Sequence, residues 1–348
     1  MALSESDVRE ALKKVKFPGL SRDIVSFGFV KRVLVEGDAV QVEIAMTTGS
    51  AEAGAKVEAD ARAVLEALPG VGRVGVAMEV KPPQTASAPP SPAQRLLPGV
   101  KYKIAVASGK GGVGKSTVAA NLALGLRRLG HTVGLLDADI YGPSQQLMMG
   151  CTEPPRVNEH EKILPVDGHG VAVMSLGFLL DPDTPVIWRG PMIMKALQQF
   201  LEDVEWGELE YLVVDLPPGT GDAQLTITQQ VPLDGAVIVT TPQDVALIDA
   251  RKGLNMFRKV NVPLIGVIEN MSAYVCPHCG HREAIFKEGG GRRTAEQLGV
   301  PFLGEIPIDP AIVTGGDDGA PIVASHPDSA AAKVFLALAA EVVRQVSR

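Results

Sequence analysis

Ser108-Gly109-Lys110-Gly111-Gly112-Val113-Gly114-Lys115-Ser116-Thr117 is the stretch on which the fold turns. From Gly109 to Ser116 it fits the spacing G-x-x-x-x-G-K-[ST]. The apolar run Ile104-Ala105-Val106-Ala107 before it reads as a buried strand, and residues 118–129 after it carry small and apolar residues at helical spacing. Strand, glycine loop, helix is the setting in which this pattern binds phosphate. Glycines let the backbone close around phosphate oxygens, and successive N–H groups and the positive helix end face the anion. Lys115 would neutralise β/γ charge, and the Ser116 hydroxyl would hold Mg²⁺.

Outward from the loop, strands and helices alternate. Strands are expected at 103–108, 132–137, 171–175, 210–215, 235–240, 263–269 and 302–306. That order predicts an α/β fold with a doubly wound, mostly parallel sheet, whose ligands sit at the carboxyl ends of the strands. Two carboxylate motifs fall at such ends. Asp137-Ala138-Asp139 follows Val133-Gly134-Leu135-Leu136, within reach of a γ-phosphate. Tyr211-Leu212-Val213-Val214-Asp215 is an apolar strand ending in an acid, the Walker B arrangement, so Asp215 is expected to meet Mg²⁺. Pro217-Pro218-Gly219 after it is expected to be a switch that senses the γ-phosphate.

Composition bounds the rest. The chain has 348 residues, long enough for two domains, and its 46% hydrophobic content is ample for a buried core. Aromatics are only 4%, and Ala, Val and Leu dominate, as in parallel α/β sheets. A net charge of −7 argues against a nucleic-acid footprint. Residues 83–99 are rich in Pro, Ala and Ser without periodicity and read as a linker. The expected division is therefore a small unit at 1–82, the linker at 83–99 and the nucleotide domain at 100–348. In the small unit a helix is expected at 5–15 with Ser4 as cap, strands at 24–34 and 39–46, a helix at 53–68 and a strand at 74–80. Neither a signal pattern nor a membrane-length apolar run is seen, and three cysteines make no disulfide framework, so a cytoplasmic protein without a membrane partner is expected.

Cys276-Pro277-His278-Cys279 follows the strand expected at 263–269. Two cysteines at this spacing hold one metal or cluster, or form a reactive dithiol. The pair is two ligands short of a usual metal centre. His278 or His281 would complete a zinc knuckle within the chain. Alternatively, a homodimer would bring Cys276 and Cys279 from both subunits around one [4Fe–4S] cluster. Cys151 stands alone and reads as a small buried hydrophobe.

The pattern Gly109-Lys110-Gly111-Gly112-Val113-Gly114-Lys115-Ser116-Thr117, with its extra lysine at 110, resembles the deviant Walker A family. That family holds nitrogenase iron protein, the septum-site and chromosome-partition ATPases, the arsenite-pump ATPase and the Mrp/ApbC iron–sulfur carriers. Residues 98–345 resemble the last of these most closely. The matching wording is Asp139-Ile140-Tyr141-Gly142-Pro143-Ser144, Trp188-Arg189-Gly190-Pro191-Met192, Ile268-Glu269-Asn270-Met271-Ser272, Cys276-Pro277-His278-Cys279-Gly280 and Phe286-Lys287-Glu288-Gly289-Gly290-Gly291. The resemblance implies an ATP-hydrolysing carrier that binds a labile [4Fe–4S] cluster and passes it to apo iron–sulfur proteins, with upstream scaffold proteins as donors. It implies that Lys110 reaches the partner subunit's nucleotide as an arginine finger does, that Asp139 orients the attacking water, and that Asn270 and Asp309 frame the adenine. Gly289-Gly290-Gly291 is expected to hinge near the cluster. The first 80 residues resemble the small α/β domain of the MIP18-like type. Phe17-Pro18-Gly19 and Thr47-Thr48-Gly49 depart from its usual wording, which leaves that unit a docking or regulatory module without thiolate ligands.

The rival reading is a septum-site or partition-like ATPase switch, with a structural zinc or redox dithiol. Such a switch would carry a basic amphipathic helix at its carboxyl end. Residues 330–346 instead set Val334, Leu338, Val342 and Val346 on one stripe with few basic residues, the pattern of a helix packed on a core.

Overall fold

The computed structural model describes residues 4–16, 23–26, 28–47, 51–81, 96–179, 190–276 and 278–347. The chain divides into two compact units, residues 1–89 and 90–348.

The first unit contains α1 (Glu5–Leu12), β1 (Val30–Glu36), β2 (Ala39–Thr47), α2 (Ala51–Glu66) and β3 (Arg73–Lys81). Ser4 and Asp7 form a reciprocal capping box, Asp7 N–H donating to Ser4 Oγ and Ser4 N–H to the Asp7 carboxylate. β2 is central, antiparallel to β1 and parallel to β3. Val8, Leu12, Val42, Ile44, Val57, Ala61 and Leu65 form one buried core between the helices and the sheet. Two expected boundaries are corrected. The first helix ends at Leu12 rather than 15, and the first strand begins at Val30 rather than 24. Asp23 is the reason for the second: its carboxylate accepts the N–H groups of Val25 and Ser26 and the Ser26 hydroxyl, folding that segment into a turn. Phe17-Pro18-Gly19, Thr48 and Gly49 lie outside the described residues.

The second unit begins with β4 (Val100–Ser108), α3 (Lys115–Arg128), β5 (Val133–Asp137) and the short α4 (Gln145–Met148). Four further strands follow, β6 (Arg156–Val157), β7 (Ile163–Leu164), β8 (Val166–Gly168) and β9 (Val171–Ser175). Next come α5 (Gly190–Glu202), β10 (Leu209–Asp215), α6 (Asp222–Gln230), β11 (Gly235–Thr240), α7 (Asp244–Lys259) and β12 (Leu264–Val275). The chain closes with β13 (Arg282–Glu283), α8 (Gly290–Leu298), β14 (Phe302–Ile308), α9 (Pro310–Asp317), α10 (Ile322–Ser325) and α11 (Ala330–Val346).

One sheet carries nine of these strands in the order β13-β12-β11-β4-β10-β5-β9-β8, with β14 also paired to β12. Only β13 and β8 run antiparallel to their neighbours. The central strands are apolar throughout because both faces are covered. Ile104, Val106 and Val213 face one core with α3 and α11, while Ala105, Ala107, Leu212 and Val214 face the other with α5, α6 and α7. α11 buries Phe335, Leu338 and Val342, each worth about 1.5–3 kcal/mol relative to exposure, so it is the core-packing helix its stripe predicts. All seven expected strands form, with ends shifted by up to three residues except at one place. β12 does not stop at 269 but runs to Val275, interrupted at Met271, whose φ is +56° and where the register against β14 shifts. The dithiol therefore follows directly on a strand.

Candidate functional site

The glycine loop joins β4 to α3. Gly114 takes φ +79° and caps α3, whose first residue is Lys115. A Cβ on Gly114 would fall 2.2 Å from Asn270 Nδ2, and one on Gly109 would fall 2.1 Å from the carbonyl carbon of Asp249 on α7. The loop is therefore seated against β12 and α7 by positions that admit no side chain. Asn270 Nδ2 donates to Val113 O at 2.9 Å, and the Ser108 hydroxyl donates to Lys110 O at 2.9 Å. Gly111, Gly112, Lys110 and Thr117 are not buried; the Lys110 ammonium makes no ion pair among the described residues.

Beneath the loop lies a buried acidic cluster. Lys115, 5% exposed, pairs with Asp215 and with Asp139 at 3.3 Å, and its Nζ lies 3.2 Å from Ser116 Oγ. Burial works against the ammonium, but the charges of Asp215 and Asp139 outweigh it and raise Lys115 above its ordinary range. Asp137 accepts the N–H groups of Asp139 (3.0 Å), Ser144 (2.9 Å) and Gln145 (2.9 Å) and the Ser175 hydroxyl (2.9 Å). It thereby shapes the 138–145 segment rather than reaching outward. Burial pushes its carboxyl up to about 7, with Asp215 adding to the shift and the N–H donors opposing it. Burial also raises Asp139, against the pull of Lys115.

Gln145 is a member of this cluster that sequence reasoning passes over. Its Nε2 donates to Ser116 O at 3.0 Å and to Asp215 Oδ2 at 2.8 Å. These partners are 29 and 70 residues away, so no local pattern marks it. The cluster as a whole fits a hydrated magnesium ion. Two carboxylates, Asp139 and Asp215, pair with one ammonium, and two buried oxygens, Asp139 Oδ1 and Gln145 Oε1, accept no hydrogen bond. Hard oxygens with surplus negative charge and acceptors for metal-bound water are what Mg²⁺ requires.

The segment after Asp215 turns at Gly219, φ +98°, whose N–H donates to Ser108 O at 3.0 Å; Pro218, Thr220 and Gly221 are exposed. Asp309 caps α9, accepting Ala311 N–H at 2.9 Å. α9 in turn lines a hollow of about 420 Å³ beside the loop, with Thr117 and Met148 on its other walls.

Cys276 and Cys279 stand at the tip of the β12–β13 hairpin. Cys276 N–H donates to His281 O, and Gly280 N–H to Cys276 O, both at 2.9 Å. Cys276 is half-buried and Cys279 exposed. The N–H groups of Cys279 and His278 and the Cys279 thiol hold the Cys276 thiol below its usual range. Among the described residues no three His, Cys, Asp or Glu gather into a group able to hold a metal. Cys151 is buried, and burial pushes its thiol up to about 11. The three glycines after the hairpin do not form an open hinge. Gly290 and Gly291 are buried at the start of α8, and Gly291 N–H donates to the buried carboxylate of Glu269. Trp188, Arg189 and Pro277 lie outside the described residues.

A Gly109–Ser116 cradle at a strand end, with a strand-end aspartate on the neighbouring strand, defines a P-loop NTPase of the ATPase class. The profile of the NUBPL iron-transfer P-loop NTPase family matches residues 99–343, and that of the iron-sulfur cluster assembly protein family matches residues 5–77. The chain belongs to the NUBPL iron-transfer P-loop NTPase family, preceded by a small α/β domain of the second family. The iron-sulfur cluster carrier protein of Deinococcus radiodurans is 48% identical over 338 residues, covering 97% of this chain and 94% of its own length. The iron-sulfur cluster carrier protein of Synechocystis is 44% identical over 350 residues, covering 99% and 98%. Among solved structures, a nucleotide-binding protein of Archaeoglobus fulgidus, in complex with ADP, superposes with a TM-score of 0.57 at 40% identity. It covers 64% of this chain and 87% of its own. The family and fold make this protein an ATPase, with ATP and Mg²⁺ as substrate and cofactor, and place it among proteins of iron–sulfur cluster transfer. No described helix is long and apolar enough to cross a membrane.

Proposed function

We propose that the protein is a homodimeric carrier that holds a labile [4Fe–4S] cluster between Cys276 and Cys279 of two subunits and delivers it to apo iron–sulfur proteins. One observation carries this reading. A dithiol with a lowered Cys276 thiol is presented at a hairpin tip, and no third ligand joins it among the described residues. Half a cluster site that is exposed invites a second half. Val275 and Ile285 on the flanks of the hairpin, and Val245 and Ile248 on α7, are exposed apolar side chains, and the Lys287–Asp244 ion pair joins the hairpin's flank to the start of α7. α7 also backs Gly109, so the same side carries the nucleotide loop. Curated relatives along nearly the whole chain bear the carrier name.

Within this reading, ATP phosphates lie in the Gly109–Thr117 cradle, where their charge draws Lys115 from Asp215 and Asp139. Asp139, whose buried Oδ1 has no hydrogen-bond partner, orients the attacking water. Ser116 and Asp215 would hold magnesium, which would supply positive charge against the phosphate oxygens. Lys110 reaches the partner subunit's phosphates. Asn270 and Asp309 frame the base, as the family resemblance implies. Residues 83–99 tether the N-terminal domain, at 1–82, as a docking module to the ATPase domain at 100–348, in the cytoplasm.

Anaerobic reconstitution tests it. About four irons and four sulfides per dimer, lost in Cys276→Ala/Cys279→Ala, are expected. Stoichiometric zinc instead, unaffected by dimerisation, would turn the protein into a partition-like switch with a structural dithiol.

A further inference from the structure

Gln145 lies at the centre of the acidic cluster although its neighbours in sequence give no sign of it. Its side chain is fully buried. One end of the amide meets two acceptors, Ser116 O at 3.0 Å and Asp215 Oδ2 at 2.8 Å. That end must therefore be the NH₂ group, and the other the carbonyl oxygen. The carbonyl oxygen, Oε1, is buried and accepts no hydrogen bond. A lone buried acceptor is costly, and a methionine would fill the same space without it. The backbone N–H of residue 145 donates to Asp137 at 2.9 Å, but any residue except proline would do that. Only the side chain calls for explanation.

The two oxygens of Asp215 are divided between two partners. Oδ1 takes the Lys115 ammonium, and Oδ2 takes the Gln145 amide. Phosphate charge competes with Asp215 for Lys115, because the ammonium is attracted to both. A neutral amide feels no comparable pull. It keeps Asp215 oriented while the ammonium turns to the nucleotide. Its free oxygen lies in the same cluster as Asp139 Oδ1, the other unpaired acceptor. Magnesium keeps several of its waters when it binds a nucleotide site, and each such water needs an acceptor.

We propose that Gln145 is a positioning residue for magnesium: its NH₂ fixes Asp215 against Ser116, and its Oε1 accepts a hydrogen bond from the metal's water. The proposal rests on reading Ser116 and Asp215 as the magnesium site. Outer-shell partners of this kind carry about 10–100-fold in metal affinity.

The test uses the full-length protein with Mn²⁺ as the spectroscopic probe. Free Mn²⁺ is counted by electron paramagnetic resonance in the presence of ADP, and ADP affinity is measured separately in EDTA. Gln145→Met keeps the length of the side chain and removes both polar functions. It is expected to weaken Mn²⁺ about tenfold while ADP affinity in EDTA stays within about twofold. Gln145→Asn is too short to bridge Ser116 and Asp215 and is expected to weaken Mn²⁺ in the same direction; it carries the test if the methionine variant does not fold. Unchanged Mn²⁺ affinity in a folded variant overturns the proposal. So does an equal loss of ADP affinity with and without metal, which would make Gln145 a packing residue of the cradle. Wild-type protein whose ADP binding ignores Mn²⁺ would sink the magnesium reading itself, and that failure shows before any variant is made.

Discussion

The nucleotide cradle and the dithiol hairpin share β12, yet they are built by opposite rules. At one point of the strand Asn270 locks Val113, and the cluster beneath is so buried that Asp137 and Asp215 expose nothing. At its end Cys276 is half-buried and Cys279 open. Apart from Lys115, the cradle fixes nearly every polar group it uses, as electrostatic catalysis requires, because preorganised groups need little rearrangement when phosphate charge develops. The hairpin leaves its thiols accessible, as ligand exchange requires, because an incoming thiolate must reach the group that leaves. The cradle thus closes on itself within one chain, whereas the hairpin turns its two thiols outward, as the proposed half-site would. Met271, with φ +56°, stands between the two.

The largest effect should come from the exposed half. Cys276→Ala/Cys279→Ala is expected to abolish iron and sulfide binding while leaving ATP hydrolysis within about threefold of wild type, since neither thiol touches the cluster around Lys115. Iron counting and phosphate release check both arms. Retained iron would mean that the hairpin thiols are not its ligands. Lys110→Ala comes next. A cation delivered in trans is worth about 10³–10⁵ in turnover, so hydrolysis should fall at least about 10³-fold while ADP binding persists. Phosphate release that survives would mean that the cradle is complete in one chain after all.

The same contrast explains what the sequence made legible. Gly109, Gly114, Lys115, Ser116 and Asp215 are set by short spacing and by strand ends, which local pattern reports well. The alternation of apolar runs gave the sheet, because strands covered on both faces read as continuous hydrophobic stretches. Gln145 was invisible because its function lies in contacts to distant Ser116 and Asp215, not in a repeat. The length of β12 was missed because Asn270-Met271-Ser272 reads as a strand end, whereas Asn270 is spent on Val113 and Ser272 Oγ donates to Ile306 O at 3.1 Å, letting the strand resume. Gly289-Gly290-Gly291 reads as a hinge because three glycines follow the cysteine motif, but Gly290 and Gly291 are buried, and a Cβ on Gly290 would meet Leu247 Cδ1 at 2.6 Å.

A pair of glycine variants tests how rigidly the cradle is held. Gly109→Ala places a methyl 2.1 Å from the Asp249 carbonyl carbon, where backbone must move. About 1–3 kcal/mol of stability should be lost, with ADP affinity falling alongside. Gly111→Ala meets nothing within 4 Å and should stay within about 0.5 kcal/mol. Denaturant unfolding of both variants provides the comparison; equal stabilities would mean that the loop is not pressed on α7.

The smallest effect probes the hairpin's chemistry by pH. A thiol whose acid dissociation is favoured carries more thiolate at neutral pH, and the thiolate is the nucleophile. Cys276, lowered by the N–H groups of Cys279 and His278, should therefore be alkylated by iodoacetamide at pH 7.5 a few times (about two- to fivefold) faster than a thiol in an unstructured peptide. Raising the pH to about 10 should erase the advantage, since the peptide thiol is then ionised as well. Cys151, pushed up to about 11 and buried, should remain unlabelled at either pH over the same period. Mass-spectrometric mapping of the three sites reads the order directly. A Cys276 no faster than the peptide would remove the electrostatic case for a primed dithiol, leaving exposure as the hairpin's sole distinction from the cradle.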